Sequence, residues 1–82
     1  MSKRLTEAQK RRRRYARQDG KYAARCIARA IEYQQHVAWH AARPSVADLA
    51  KTWQQMSDRA LESAASNARD AAHWANLSKE NL

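Results

Sequence analysis

From Lys21 to Ala42 the apolar residues recur at steps of three, four and seven. Ala24, Ile27, Ile31, Ala38 and Ala42 share one face, which Gln34 and Gln35 interrupt, and Tyr22, Cys26, Tyr33 and Val37 form an adjacent strip. This is the period of an amphipathic helix. Arg43-Pro44-Ser45 ends it, because the residue before a proline is disfavoured in the α region; the helix is expected to stop near Ala42. A second helix restarts at Ser45, an N-cap candidate with Asp48 at the N3 position of a capping box. Its apolar positions begin Val46, Leu49, Trp53, Met56, Ala60, Leu61, Ala64 and Ala68, and the spacing persists to about Trp74. Upstream, Thr6-Glu7-Ala8-Gln9 matches the capping-box pattern, so helix is also predicted to open there, ahead of Lys10 to Arg17.

Two helices joined at Arg43-Pro44-Ser45 make a long antiparallel hairpin. Residue numbers across its interface then sum to roughly 88, so Ile27 is expected to face Leu61, Ile31 to face Met56, and Trp39 to lie near Leu49. Composition agrees with an all-α fold: Gly and Pro occur once each, Phe is absent, Ala is abundant and β-branched residues are few. A body of about 60 residues buries a modest fraction of its surface and is marginal alone. Pairing of two hairpins into a four-helix bundle is the expected remedy, with Ile27, Ile31, Trp39, Trp53, Met56 and Leu61 as candidate partner or dimer contacts. The single Cys26 permits no intrachain disulfide. Asp19-Gly20 is the one flexible point, and it divides the chain into a basic arm, residues 1–19, a helical body, residues 20–78, and a frayed tail, residues 79–82.

Charge changes the picture most. Eleven of the sixteen Lys and Arg residues fall within the first 29 positions, opposed only by Glu7 and Asp19, so that segment carries +9 and the remainder −1. A charge so placed attracts a polyanion, of which nucleic acid is the commonest. The candidate contacts are Lys10, Arg11, Arg12, Arg13, Arg14, Arg17, Lys21 and Arg25 for phosphates, with Tyr15 as a stacking group; Tyr22 could serve in the same way. The five consecutive cations Lys10 to Arg14 repel one another within one and a half turns, so this stretch is expected to be only partly helical until an anion neutralises it.

Glu7-Ala8-Gln9-Lys10-Arg11-Arg12-Arg13-Arg14 resembles the arginine-rich motif of lambdoid phage N antitermination proteins, over about a tenth of the chain. In that family a similar Ala-Gln-x-Arg-Arg-Arg stretch folds as a helix on an RNA hairpin. The resemblance implies RNA ahead of DNA. The rest of the chain departs from that family, which is largely disordered outside the motif. A second segment, Pro44 to Ala64, looks like a bacterial-regulator helix-turn-helix, with Ser57 capping the recognition helix. Trp53-Gln54-Gln55-Met56 has no Gly and is about one residue longer than the usual turn. Asp58 and Glu62 also outweigh Arg59 where DNA would be met, and one continuous helix explains the same residues.

The remaining candidates are weaker. His36 and His40, at i and i+4, could share a metal, but no third ligand stands nearby, so neither metal nor cofactor is expected. Cys26 lacks a His placed to act as its base and is expected to be a small core residue. No phosphate loop, nucleophile elbow or carboxylate pair points to an enzyme. No apolar run approaches the ~20 residues needed to span a membrane, and no secretory signal follows the charged N-terminus. A cytoplasmic nucleic-acid-binding regulator is therefore the first expectation. The alternative is a small adaptor or inhibitor docking on an acidic protein surface.

Overall fold

The computed structural model describes residues 4–79. The expected frayed tail, residues 79–82, falls mostly on residues 80–82, which, like residues 1–3, lie outside the described residues. Helix α1 spans Glu7–Ala41, a 3-10 turn covers Pro44–Val46, and helix α2 spans Leu49–Lys79. The two helices form an antiparallel hairpin 66 Å long and 16 by 14 Å across. Every regular element among the described residues is helical.

The capping box forms as its sequence predicts. Thr6 Oγ1 accepts from the Gln9 amide at 3.1 Å, and Gln9 Oε1 accepts from the Thr6 amide at 2.9 Å. Two of the four orphan amides of the helix start are thereby satisfied, with Glu7 at the positive end of the dipole. The helix ends at Ala41 with Ala42 as its cap, as Pro44 requires. The start of α2 differs from expectation. Pro44 takes the first position of the 3-10 turn and Ser45 lies inside that turn, so Ser45 does not cap α2. The carbonyls of Ala47 and Asp48 instead accept from Ala50 and Lys51, at 3.0 and 3.2 Å. Residues 53–56 are helical, so the helix-turn-helix alternative is excluded in favour of one continuous helix.

Two further expectations are corrected. Asp19-Gly20 is not a hinge: α1 runs through it without a left-handed residue. Ala16 and Asp19 on one side and Ala23 on the other all face α2, and this continuous packing outweighs the roughly 1 kcal/mol that an interior glycine costs. Residues 7–19 are therefore the first part of α1, and the run Lys10 to Arg14 is helical along its whole length.

The second correction concerns which face of α1 is buried. The antiparallel register is as expected: Arg12 meets Leu77, Tyr15 meets Trp74 and Gln34 meets Gln54. The helices are rotated, however. Ile27, Ile31 and Leu61 stand 48%, 59% and 49% exposed, and Trp39 and Leu49 are also exposed, so the expected pairs Ile27–Leu61, Ile31–Met56 and Trp39–Leu49 do not make the core. The seam is built from residues seven apart, most of them small. On α1 these are Gln9, Ala16, Ala23, Ala30 and Val37; on α2 they are Ala50, Ser57, Ala64, Ala71 and Ser78. Every fully buried residue among those described belongs to these two rows. The alternating positions, including Arg12, Cys26, Tyr33 and His40 on α1 and Trp53, Ala60 and Trp74 on α2, are half-buried. Steps of three and four give the 3.5-residue period of a coiled-coil seam.

Ser57, wholly buried, is fully satisfied at this seam. Its hydroxyl donates to the Ala30 carbonyl at 3.4 Å and accepts from Gln34 Nε2 at 2.9 Å. Cys26 occupies a half-buried seam position beside Tyr33 and Met56, the place of a small packing residue.

Candidate nucleic-acid interface

The open end of the hairpin, away from the turn, brings the arginine run beside the last turn of α2. The buried row fixes which cations point outward. Arg12 falls on the seam, and its Nη1 donates to the Leu77 carbonyl at 3.0 Å. Leu77 lies in the last turn of α2, where carbonyls lack helical partners and the dipole is negative, so a guanidinium is well placed there. Arg12 thus ties the two helix ends together and is separated from the other candidate phosphate contacts.

Lys10, Arg11, Arg13, Arg14, Arg17, Lys21 and Arg25 are all exposed. Lys10, Arg13, Arg14 and Arg17 join Lys79 of α2 around a shallow groove of about 650 Å³ whose floor includes Leu5, Ala16 and Ala75. Lys79 escaped the sequence reading, although the register sum of 88 places residue 79 opposite residue 9. Helical phase sets Arg14 and Lys21 on the outer ridge of α1, and Arg11 and Arg25 on the flank away from the groove. From Lys10 to Arg25 the row is ~22 Å long. The one ion pair among the described residues joins Lys10 to Glu7 at 3.5 Å on the surface, where such pairs are weak. The other cations of α1 have no acidic partner among the described residues.

Tyr15 is only partly free. Its ring lies 5.1 Å from that of Trp74, tilted by 57°, and its outer part remains exposed. Tyr22 is exposed, accepts from Gln18 Nε2 at 3.2 Å and lies 5.9 Å from the Arg25 guanidinium.

The partner contacts expected from the sequence divide into two groups. Ile27, Ile31 and Leu61 form an exposed flank midway along the hairpin. Trp53 packs near the turn, stacked on His36 at 4.1 Å and 14°, with His40 further along the same plane at 6.1 Å. His36 and His40 are thus engaged with an indole face. Trp39 is exposed and carries the Arg43 guanidinium 3.8 Å above its ring. Met56 is half-buried beside Cys26 and Tyr33. No family model, curated protein or solved structure matches the chain. Among the described residues no helix is long and apolar enough to cross a membrane.

Proposed function

We propose that this protein is a small nucleic-acid-binding regulator that works by binding and not by catalysis, and that it acts in the cytoplasm. The exposed cations of α1, Lys10 to Arg25 without Arg12, are the phosphate contacts, and a pair of chains is the working unit. The observation that carries this is the groove at the open end. Five cations from two helices converge there, and the only acidic partner among the described residues is Glu7 on Lys10. Arg side chains fork onto phosphate oxygens, and a rigid helix presents them without an ordering penalty at the moment of binding. The engagement of Tyr15 with Trp74 leaves less aromatic surface for stacking than the sequence suggested, so phosphate contacts bear most of the affinity. RNA stands ahead of DNA on the resemblance of the arginine run.

The test is a titration against salt. Contact with about five phosphates gives a slope near −4.5 in log affinity against log salt on duplex DNA, and a shallower slope on single strands. Binding that is insensitive to salt, or unchanged when Arg13, Arg14 and Arg17 are replaced by Ala, would remove the proposal.

A second reading, an adaptor that docks on another protein, is favoured by the exposed Ile27, Ile31 and Leu61. Apolar burial is not screened, so such a complex is expected to survive salt that abolishes phosphate contacts.

A further inference from the structure

Two arginines outside the groove, one from each helix, line a single depression. It is shallow, encloses about 250 Å³ and lies midway along the hairpin. Helical phase sets it on the flank opposite Ile27 and Leu61. Arg29 of α1, Arg59 of α2 and the Ser63 hydroxyl are exposed at its rim, and the half-buried Cys26, Tyr33 and Met56 make its floor. Glu32 and Glu62 stand three residues after Arg29 and Arg59, a spacing at which ion pairs form on a helix. Neither pair is made, since the Lys10–Glu7 pair is the only one among the described residues. Two like charges thus border one largely apolar depression with no counter-charge, an arrangement that a bound anion would relieve.

We propose that this depression takes one unpaired nucleotide of the nucleic acid held in the groove, with its phosphates on Arg29 and Arg59 and its base against Tyr33 and Met56. This rests on the phosphate-binding reading of α1 and deepens it by naming the substrate class, a strand with unpaired bases. A base inside a duplex is stacked between its neighbours and cannot enter, whereas an unpaired base presents a free face. Guanidiniums fork onto phosphate oxygens, and every base has a π-face to set against an aromatic floor. The depression is smaller than the ~300–1,000 Å³ of pockets that hold drug-sized ligands, which suits a single nucleotide unit.

Charge along α1 leads from the groove to the depression. Arg14 and Lys21 follow one another on the outer ridge, Arg25 stands beside them toward the second flank, and Arg29 comes one turn later. Steps of seven, four and four residues carry this path across the outside of the helix over ~22 Å. Between Glu7 and Glu32 the one acid of α1 is Asp19, half-buried on the seam, so the path meets no carboxylate of its own helix. Tyr22, exposed beside Arg25, adds a stacking face on the way. A strand with one charge per nucleotide matches cations spaced in this manner, and its bases match the aromatic floor. The depression near the turn, at Trp39 and Trp53, has aromatic walls but neither Arg nor Lys in its lining.

Salt titrations of the full chain with a single-stranded oligouridylate and with a blunt RNA duplex of equal length test the proposal, with the double variant Arg29→Gln, Arg59→Gln beside the wild type. Each phosphate contact contributes about 0.7 to the slope on a single strand, so the variant's slope is expected to be shallower by about 1.4 and its affinity at ~0.1 M salt at least about tenfold weaker. Duplex affinity is expected to change by less than about threefold, since a paired base cannot reach the floor. Helicity by circular dichroism should hold, because both side chains are exposed. A strand carrying thiouridine is expected to photo-cross-link at Cys26, Tyr33 or Met56. An unchanged affinity for the strand, or an equal loss on strand and duplex, would overturn the proposal. So would oligoglutamate bound as tightly as the strand and lost in the same variant, which would give the depression to an acidic protein segment. Replacing Arg13, Arg14 and Arg17 by Ala is expected to weaken strand and duplex alike, so failure of the groove and failure of the depression are separate results.

Discussion

Ser57 and Arg12 show how much a single side chain can carry in so thin a molecule. Ser57 is buried in the seam between the two helices and bridges Ala30 and Gln34. Ser57→Ala removes both bonds and is expected to lower unfolding free energy by about 1–2 kcal/mol in urea denaturation. Arg12 and Arg13 are neighbours with opposite duties. Arg12→Ala loses the clamp on Leu77 and is expected to lower the thermal midpoint while leaving nucleic-acid affinity within about threefold, its charge lying off the exposed row. Arg13→Ala is expected to do the reverse: affinity falls, the midpoint holds, and the salt slope becomes shallower by about 1. Parallel thermal melts and binding titrations separate the two. The capping box at Thr6 and Gln9 was legible from four letters, because its bonds are local. The role of Arg12 was not, because it depends on a carbonyl 65 residues away.

The helices were legible in number, end and register. Pro44 fixed the turn, and a symmetric hairpin about it fixed which levels meet. The rotation of α1 was not legible by weighing apolar bulk, because Ile27 and Ile31 drew the reading to the wrong face. A signal was present in the spacing. Ala16, Ala23 and Ala30 recur every seven residues, as do Ala50, Ser57, Ala64, Ala71 and Ser78. Small residues at a strict heptad position mark a close-packed seam, where bulk is excluded. Ala64→Leu should therefore destabilise the hairpin by about 1–3 kcal/mol although it adds apolar surface and keeps helix propensity. Stabilisation by Ala64→Leu in the same denaturation assay would contradict the seam. The hinge expected at Gly20 was overridden by tertiary packing, as local propensity often is.

At the scale of the whole molecule, a long narrow hairpin carries its charge at one end and its exposed apolar flank in the middle. The two lie on one face, since Arg13 and Ala75 of the groove continue the rows of Ile27 and Leu61 at heptad spacing. If the chain works as a pair, its thermal midpoint is expected to rise with protein concentration, and melts at several concentrations check this; a midpoint independent of concentration would point to a folded monomer. The charge separation was plain in the sequence. Its placement was not, because the basic segment is a continuous part of α1, and Lys79 from the other helix joins it. The most direct test of the phosphate-binding account is affinity for an RNA hairpin, a single strand and a DNA duplex across a salt series, with R13A/R14A/R17A beside the wild type. The account expects tight, salt-steep binding to at least one of them, lost in the variant, with the fold unchanged by circular dichroism. Weak binding to all three, equal in wild type and variant, would contradict it.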